Sequence, residues 1–145
     1  MNTQQIGRAG ELLVQYKLLK YGIDSSALTT DSGIDLVAYS PKKKDALTIQ
    51  VKSNEKAKPG GGAGALALDW WLREDSPADL VAVVSLESNE VWLFTHEEFV
   101  QAAQQKSSGR LHFYIYLSED VNTKKVALKS QFADYLLENR IKELL

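Results

Sequence analysis

Two short stretches of alternating residues constrain the fold of this chain more than any other feature. They are GIDLVAY at residues 33–39 and LTIQVKS at residues 47–53. Successive side chains of a β-strand point to opposite faces, so each stretch predicts a strand with one apolar face. The segment between them, SPKKKD, holds a proline suited to a turn and three lysines that a core would not accept. The two stretches therefore predict a β-hairpin.

The apolar pattern also predicts how the two strands pair. Directly opposed residues of an antiparallel pair share a face, so a four-residue loop sets Leu36 opposite Ile49. The same register sets Asp35 opposite Gln50, with Lys52 on the same face. A slip of one residue would place the apolar face of one strand beside the polar face of the other. We therefore expect a carboxylate, an amide and an ammonium group on one patch.

This patch has the chemistry of a divalent-metal site. Carboxylate and amide oxygens are hard ligands of the kind that Mg²⁺ prefers, and a nearby lysine can orient water or offset the charge of a phosphate. An acidic residue on one strand followed by (D/E/Q)xK on the next is the motif of the PD-(D/E)xK nuclease superfamily. The sequence resembles that superfamily in GID at residues 33–35 and QVK at residues 50–52.

A long N-terminal helix is predicted before the hairpin, capped by Thr3 and running to about Tyr21. Glu11 lies on the same row as Val14, along a largely apolar stripe where a carboxylate is costly without a partner. An ion pair with Arg8, one turn earlier, is one explanation. The other is that Glu11 reaches over the hairpin site, helped by the neighbouring glycines of GRAGE, which permit close approach of a backbone or a phosphate.

The order of these segments resembles one branch of the superfamily more closely. GRAGELLVQYKLLKYGI, TTDSGIDLVAY and LTIQVKS follow one another as do the corresponding segments of archaeal-type Holliday-junction resolvases and restriction-endonuclease-like proteins, over residues 6–53. Gln50 departs from the pattern, because those resolvases usually carry glutamate there. The resemblance implies an α/β fold: a mixed central β-sheet flanked by helices, with an αβββαβ core and an extra C-terminal strand and helix.

The resemblance also implies a function and a set of site residues. It implies a Mg²⁺-dependent endonuclease that hydrolyses DNA phosphodiester bonds, with Mn²⁺ as a substitute ion. Asp35, Gln50, the Val51 carbonyl and Glu11 would hold the metal, and Lys52 would orient the attacking water or stabilise charge on the phosphate. Because a duplex or junction presents two symmetric strands, a homodimer is expected, with the adjacent tryptophans at positions 70 and 71 supplying apolar area.

Composition bounds these expectations. The chain has 145 residues, of which 44% are hydrophobic and 25% charged, and this suits a single domain over residues 1–145. It has no cysteine, which excludes disulfides, thiolate metal sites and a cysteine nucleophile. No segment approaches the roughly 20 apolar residues of a membrane span, and no apolar run for export is visible. We therefore expect a cytoplasmic protein with no membrane partner.

Charge is uneven along the chain. The net charge is −2, which does not favour a dedicated nucleic-acid binder. However, residues 1–60 carry nine basic and six acidic side chains, so the proposed site lies in the basic part. The expected DNA-contacting residues are Arg8, Lys42, Lys43, Lys44, Lys56 and Lys58.

The remaining segments follow local signals. A glycine-rich loop is predicted at 54–65, a helix at 65–73, a buried strand at 78–86, and a strand at 91–94 followed by a helix that Thr95 and Glu98 cap and that reaches Gln105. A strand at 111–117, predicted at the edge of the sheet, and a final helix capped by Ser130 complete the chain. Because adjacent residues of a helix cannot share a face, one of Trp70 and Trp71 is expected inside and one at the surface.

Two alternatives to an active nuclease remain. One is a nuclease fold without catalysis that binds nucleic acid or a protein partner, with Gln50 marking a lost metal. In the other, Asp35 is a turn residue and Lys52 a solvated surface lysine.

Overall fold

The computed structural model describes residues 1–30, 32–60 and 64–145. Its helices and strands, in chain order, are α1 (Thr3–Leu19), β1 (Asp24–Ala27), β2 (Leu36–Ser40), β3 (Asp45–Asn54), β4 (Lys58–Gly60), β5 (Ala65–Arg73), β6 (Leu80–Ser85), β7 (Glu90–Thr95), α2 (His96–Ala102), β8 (Gln105–Ser107), β9 (Arg110–Tyr116), a 3₁₀ helix (Lys129–Tyr135) and α3 (Leu137–Leu144). None of the helices in these ranges has the length and apolar character needed to cross a membrane.

The central sheet has the strand order β1-β2-β3-β6-β7. It is mixed, because β3 and β6 run parallel while the other neighbours are antiparallel. In the β2–β3 hairpin, Leu36 pairs with Ile49, and Ser40 pairs with Asp45 across a four-residue loop. The predicted register is therefore confirmed over the length of β2. It places the apolar faces of both strands against the same side of the molecule.

Two layers cover the central sheet. Helices α1 and α3 pack on one face through Val14, Leu18, Leu137 and Ile141. The other face packs against a second, antiparallel sheet of order β4-β5-β9-β8. Strand β6 is buried on both sides, since Ala82 belongs to the helix-side core and Val83 to the core between the sheets. The predicted class, an α/β fold with a mixed central sheet flanked by helices, is confirmed.

Residues 65–73 form strand β5, and the helix predicted there is wrong. The segment reads ALALDWWLR, in which Leu68, Trp70 and Leu72 are buried while Asp69 and Arg73 are exposed. This period of two is the pattern of a strand with one buried face. Pairing with β9 stabilises it, and such distant pairing is not visible in local propensity.

The two tryptophans still divide between core and surface, because neighbours on a strand point to opposite faces. Trp70 is only 2% exposed and donates its indole N–H to the Val84 carbonyl at 3.2 Å. Trp71 lies on the outer face, stacked on His112. Neither ring therefore offers the open apolar area on which the expected homodimer was based.

Several boundaries differ from the expectations. Asn2, not Thr3, caps α1, through a reciprocal pair of bonds with Gln5. Helix α2 ends at Ala102, and Gln105 begins β8, so that β9 is an interior strand and not an edge. Ser130 lies within the 3₁₀ helix that precedes α3. Within the loop predicted at 54–65, residues 58–60 form the edge strand β4, and residues 61–63 lie outside the described ranges.

Candidate active site

Asp35 lies immediately before β2, and its backbone lies between β3 and the residue that follows β1. Its N–H donates to the Ile49 carbonyl at 2.9 Å, and its carbonyl accepts from the Leu28 N–H at 2.9 Å. Its carboxylate oxygen Oδ2 accepts a 2.7 Å hydrogen bond from the Val51 N–H. The carboxylate is thus held at the edge of β3, beside Val51, which has no partner residue in β2.

The predicted pairing of Asp35 with Gln50 does not form. The ladder ends at Leu36 and Ile49, one pair earlier, and the Asp35 side chain turns to the edge of β3. In a strand the N–H and C=O of one residue point to the same edge, so the Val51 carbonyl also faces the Asp35 side. The site is therefore built around an edge of β3 and not on one face of the sheet.

Gln50 and Lys52 project from β3 on the same face, which is the face toward the second sheet. Gln50 pairs with Val81 and Lys52 with Val83, and both valines belong to the core between the sheets. The Gln50 amide oxygen accepts a 2.5 Å hydrogen bond from the Ser76 hydroxyl. Both side chains line a cleft of about 580 Å³, whose walls are Ser32, Gly33, Gln50, Lys52, Arg73, Asp75, Ser76 and Pro77.

Gly33 is required at its position. Its φ is +85°, a conformation that other residues rarely adopt, and a Cβ atom on it would lie 2.9 Å from the Pro77 side chain. The turn that leads into Asp35 therefore touches the segment that follows β5. This contact closes one wall of the cleft.

Glu11 approaches from helix α1. Burial and the negative charge of Asp35 raise the pKa of Glu11, against the opposing effect of its hydrogen bond and ion pair with Arg8 at 3.2 Å. The ion pair with Arg8 is confirmed, while the other explanation, that Glu11 reaches over the hairpin site, stays a prediction that the effect of the Asp35 charge supports.

Gly10 explains how α1 comes so close to the strand. A Cβ atom on Gly10 would lie 1.7 Å from Ser53 Oγ and 2.9 Å from Ser53 Cβ, with a Val51 methyl group at 3.5 Å. Only glycine leaves room for β3 at this crossing. A Cβ on Gly7, by contrast, would meet nothing within 4 Å. The close approach expected from the GRAGE glycines is thus made by Gly10 against β3.

The expected DNA-contacting residues do not all gather at this site. Arg8 is beside Glu11, but residues 42–44 occupy the far hairpin loop, and the six residue steps from Asp45 to Val51 span roughly 20 Å of strand. Lys43 also donates to the Glu143 carbonyl at 2.6 Å. Lys56 and Lys58 are exposed beyond the end of β3, and Lys58 belongs to β4.

Arg73, Asp75 and Ser76 are cleft residues that the sequence reasoning missed. Arg73 Nε and a terminal nitrogen bind the two Asp75 oxygens at 3.0 and 3.1 Å. The hydrogen bond and charge of Arg73 lower the pKa of Asp75, so this pair remains charged. The alternation of LALDWWLR was the signal that a strand runs here and delivers the following residues to the site.

The oxygen atoms at this edge suit a hard divalent cation. No group of three His, Cys, Asp or Glu side chains that could hold a metal occurs within residues 1–30, 32–60 and 64–145. Of the predicted ligands, the Asp35 carboxylate and the Val51 backbone meet at the edge of β3, whereas the Gln50 amide oxygen lies on the face toward the second sheet and accepts from Ser76. Burial is the larger cause of the raised pKa of Glu11 and the charge of Asp35 the smaller, and a cation bound here would relieve the second of these.

Comparison with known proteins gives similarity in structure alone. No protein-family model matches this sequence, and no curated protein sequence matches it either. A bacterial homing endonuclease matches 98% of this chain and 93% of its own, with a TM-score of 0.61 and 16% identity. Hjc, a Holliday junction resolvase from the archaeal hyperthermophile Archaeoglobus fulgidus, matches 87% of this chain and 86% of its own, with a TM-score of 0.50 and 17% identity.

The chain shares the fold of these two nucleases. This confirms, at the level of the fold, the resemblance to PD-(D/E)xK nucleases. At such low identity the similarity concerns architecture, and function rests on the residues of the site.

Proposed function

We propose that this chain is a metal-dependent endonuclease that hydrolyses DNA phosphodiester bonds in the cleft beside Asp35, Gln50 and Lys52. The observation that carries the proposal is the position of the Asp35 carboxylate, which accepts a 2.7 Å hydrogen bond from the Val51 N–H, between Gln50 and Lys52 on β3. Glu11 on α1 senses the charge of this carboxylate, since burial first and the charge of Asp35 second raise the pKa of Glu11. Two carboxylates whose charges interact in this way are stabilised by a divalent cation. The shared fold with two nucleases supports the same reading.

The side chains divide the work. Asp35, Glu11, Gln50 and the Val51 carbonyl would hold Mg²⁺, or Mn²⁺ in its place. A bound ion of this kind supplies positive charge to the phosphate and lowers the pKa of bound water. The Val51 N–H orients Asp35, and the Ser76 hydroxyl orients Gln50.

Lys52 supplies the fixed positive charge of the cleft. In hydrolysis the oxygen of water bonds to phosphorus, one P–O ester bond breaks, and the products are a phosphomonoester and an alcohol. Negative charge grows on the phosphoryl oxygens during this step, and an ammonium group aimed at them lowers the barrier. Lys52 has no carboxylate within 4.0 Å among the described residues, whereas Arg73 is bound to Asp75.

DNA binding follows from the cations around this cleft. Of the predicted contacts, Arg8 forms an ion pair with Glu11, while Lys56 and Lys58 follow Lys52 by four and six residues. Residues 42–44 lie roughly 20 Å away along β3, a distance that a duplex of a dozen base pairs spans. We propose that they contact the backbone of the same DNA away from the scissile bond. We also propose that the protein acts as a homodimer.

One observation favours a second candidate, a binding module without catalysis. Gln50 is uncharged, and its amide oxygen already accepts a hydrogen bond from Ser76 at 2.5 Å. A site with one fewer negative charge binds Mg²⁺ more weakly. In this alternative the fold contacts DNA or a protein partner through its surface alone.

Cleavage and metal binding of matched variants separate the two candidates. Asp35→Ala should abolish Mg²⁺- and Mn²⁺-dependent cleavage of DNA. Lys52→Ala should slow cleavage by roughly 10²- to 10³-fold with metal binding unchanged, because it acts on the phosphate. Gln50→Glu should tighten Mn²⁺ binding, measured by calorimetry, because it adds a charged ligand. Asp45→Ala, an exposed carboxylate at the far end of β3, is the control and should behave as wild type.

The outcomes are distinct. A wild-type protein that binds neither Mg²⁺ nor Mn²⁺ and cleaves no duplex, single-stranded or branched DNA would be the binding module. Cleavage that persists unchanged in Asp35→Ala would come from a contaminating nuclease and would refute the catalytic assignment.

A further inference from the structure

The outer face of the second sheet carries a row of aromatic side chains. Both hydrophobic clusters of the described residues lie on the other side of this sheet. The row, called here the aromatic face, consists of Trp71 on β5 and His112, Tyr114 and Tyr116 on β9. Large rings on a solvent-facing sheet surface indicate a binding function when polar and charged groups accompany them.

The rings of the aromatic face touch one another in sequence. Trp71 and His112 are stacked with centroids 4.1 Å apart and an interplanar angle of 1°. His112 and Tyr114 centroids are 5.4 Å apart, and those of Tyr114 and Tyr116 are 5.8 Å apart. The Arg110 guanidinium lies over Trp71, 5.0 Å from the ring centroid. One end of the row is thus covered by its neighbours, and the tyrosines form the other end.

The surroundings hold the row in place. The two nitrogens of His112 contact Asp69 at 2.8 Å and Gln105 at 3.2 Å. The Asn54 side chain in turn bonds to both the N–H and the carbonyl of Asp69, at 2.9 and 2.7 Å. A surface that is ordered in advance loses less entropy when it binds a ligand.

A cleft of about 350 Å³ lies beside the two tyrosines. Its floor is made of small residues, since Gly60 and Ala67 face each other so closely that a Cβ on Gly60 would lie 3.2 Å from the Ala67 Cβ. Tyr114 and Tyr116 form one wall, and Lys58 stands at the rim. The volume is at the lower end of small-ligand sites, about 300–1,000 Å³, and suits a single flat ring system.

Cations connect the aromatic face to the candidate active site. A third cleft, of about 590 Å³, includes Lys52, Arg73 and Arg110 in its lining. Lys52 and Arg73 also line the cleft that contains Gln50. Arg110 and Lys58 have no carboxylate within 4.0 Å among the described residues, so positive charge flanks the row at both ends. Such a combination of rings and cations matches a nucleic-acid strand, in which bases alternate with phosphates.

We propose that the aromatic face binds unpaired nucleotides of the substrate, which defines the substrate class as DNA with a single-stranded segment adjoining duplex. The bases of a duplex are covered by their stacked neighbours, so only an unpaired base offers its ring to Tyr114 or Tyr116. The inference rests on the proposed nuclease function for the nature of the ligand. In this arrangement Lys58 contacts one phosphate of the DNA strand, and Arg110 contacts a phosphate between the aromatic face and Lys52.

Fluorescence anisotropy without metal tests the proposal. The wild-type protein is titrated in EDTA with a blunt duplex and with the same duplex carrying a single-stranded tail of about ten nucleotides, within the range of single-strand binding sites. The tailed duplex should bind at least about tenfold more tightly. Tyr114→Ala and Tyr116→Ala should each weaken binding of the tailed duplex by roughly 5- to 100-fold and leave the blunt duplex unaffected.

Two further variants serve as controls. Tyr114→Phe keeps the ring and should retain the preference for the tail. Tyr21→Ala removes an exposed tyrosine after α1, away from this sheet, and should also retain it. Circular dichroism and thermal unfolding verify that each variant is folded, which is expected because the tyrosines point away from the core.

Three results would overturn the inference: no preference for the tail in the wild type, an unchanged preference in both alanine variants, or an equal loss in Tyr21→Ala. Sedimentation that shows the alanine variants changing from dimer to monomer, with tail binding intact, would instead assign the face to self-association. The proposed catalysis is tested separately, since Asp35→Ala should lose cleavage and keep the tail preference. A wild type that prefers the tail but cleaves nothing would refute the catalysis alone.

Discussion

The carboxylate of Asp35 accepts a hydrogen bond of 2.7 Å from the backbone N–H of Val51. The bond is made at the edge of β3, beyond the last residue pair that β3 forms with β2. This bond places a side chain from the start of one strand beside the backbone of the next. The Val51 carbonyl points to the same edge, so a charged oxygen and a peptide oxygen lie next to each other. The residue at position 35 must therefore carry a side-chain acceptor for the Val51 N–H.

Replacement of Asp35 separates its structural role from its charge. Asp35→Asn keeps an acceptor for the Val51 N–H and removes the repulsion of Glu11, so it should be at least as stable as the wild type without metal. Asp35→Ala leaves that N–H without its partner and should be less stable than Asp35→Asn by about 1 kcal/mol. Chemical denaturation in EDTA measures the difference. Equal stability of the two variants would show that the bond contributes nothing.

The two glycines of the first helix should respond to alanine in opposite directions. Gly10→Ala places a methyl group 1.7 Å from Ser53 Oγ and should destabilise the protein by about 1–3 kcal/mol. Gly7→Ala meets no atom within 4 Å and should stabilise it by about 0.5–1 kcal/mol, because alanine is the better helix former. Denaturant unfolding compares them. Ser53→Gly should partly rescue Gly10→Ala, and a lack of rescue would place the clash elsewhere.

The raised pKa of Glu11 predicts a pH-dependent stability. Between the unfolded and folded pKa values the native state binds more protons, so stability falls as pH rises through this window. Glu11→Gln should therefore raise the melting temperature of the metal-free protein at about pH 7, and the gain should vanish at about pH 3, well below the ordinary pKa of 4.5, where the carboxyl is protonated in both states. Differential scanning calorimetry in EDTA measures this.

Added Mg²⁺ should reverse the order, because it stabilises the wild type more than Glu11→Gln. Glu87→Gln, at an exposed position between β6 and β7, is the control and should change neither curve. A Glu11→Gln variant that is less stable at neutral pH would show that the ion pair with Arg8 outweighs burial and Asp35.

The expected homodimer could form through an apolar surface on α1 in place of the two tryptophans. Leu12, Tyr16 and Leu19 lie on one side of α1 and are 50%, 56% and 57% exposed. We expect self-association through this stripe, detectable by sedimentation at tens of micromolar. The double variant Leu12→Lys, Leu19→Glu should be monomeric, while Val126→Lys, at another exposed apolar residue, should not change the state. A monomeric wild type would remove the homodimer.

The hairpin and its register were determined by the sequence alone. An apolar face on each strand allows one alignment, since a slip of one residue would bury Thr48 or expose Leu36. The buried strand β6 and the Thr95–Glu98 cap of α2 were equally readable, because burial on both faces and capping are encoded locally. The order and spacing of the segments also singled out Asp35, Gln50 and Lys52 as site residues, which stays a prediction.

Tertiary structure decided the rest, because the deciding contacts join residues far apart in the chain. Residues 65–73 became a strand because β9, some forty residues later, supplies its partner. Asp35 turned to the edge of β3 because its side chain bonds to Val51, which no strand periodicity predicts. Helix α1 lies close against β3 because Gly10 leaves room for Ser53 at their crossing, and the charge of Asp35 acts on Glu11 there. Local patterns specify which face of an element is apolar, but only packing specifies which elements meet.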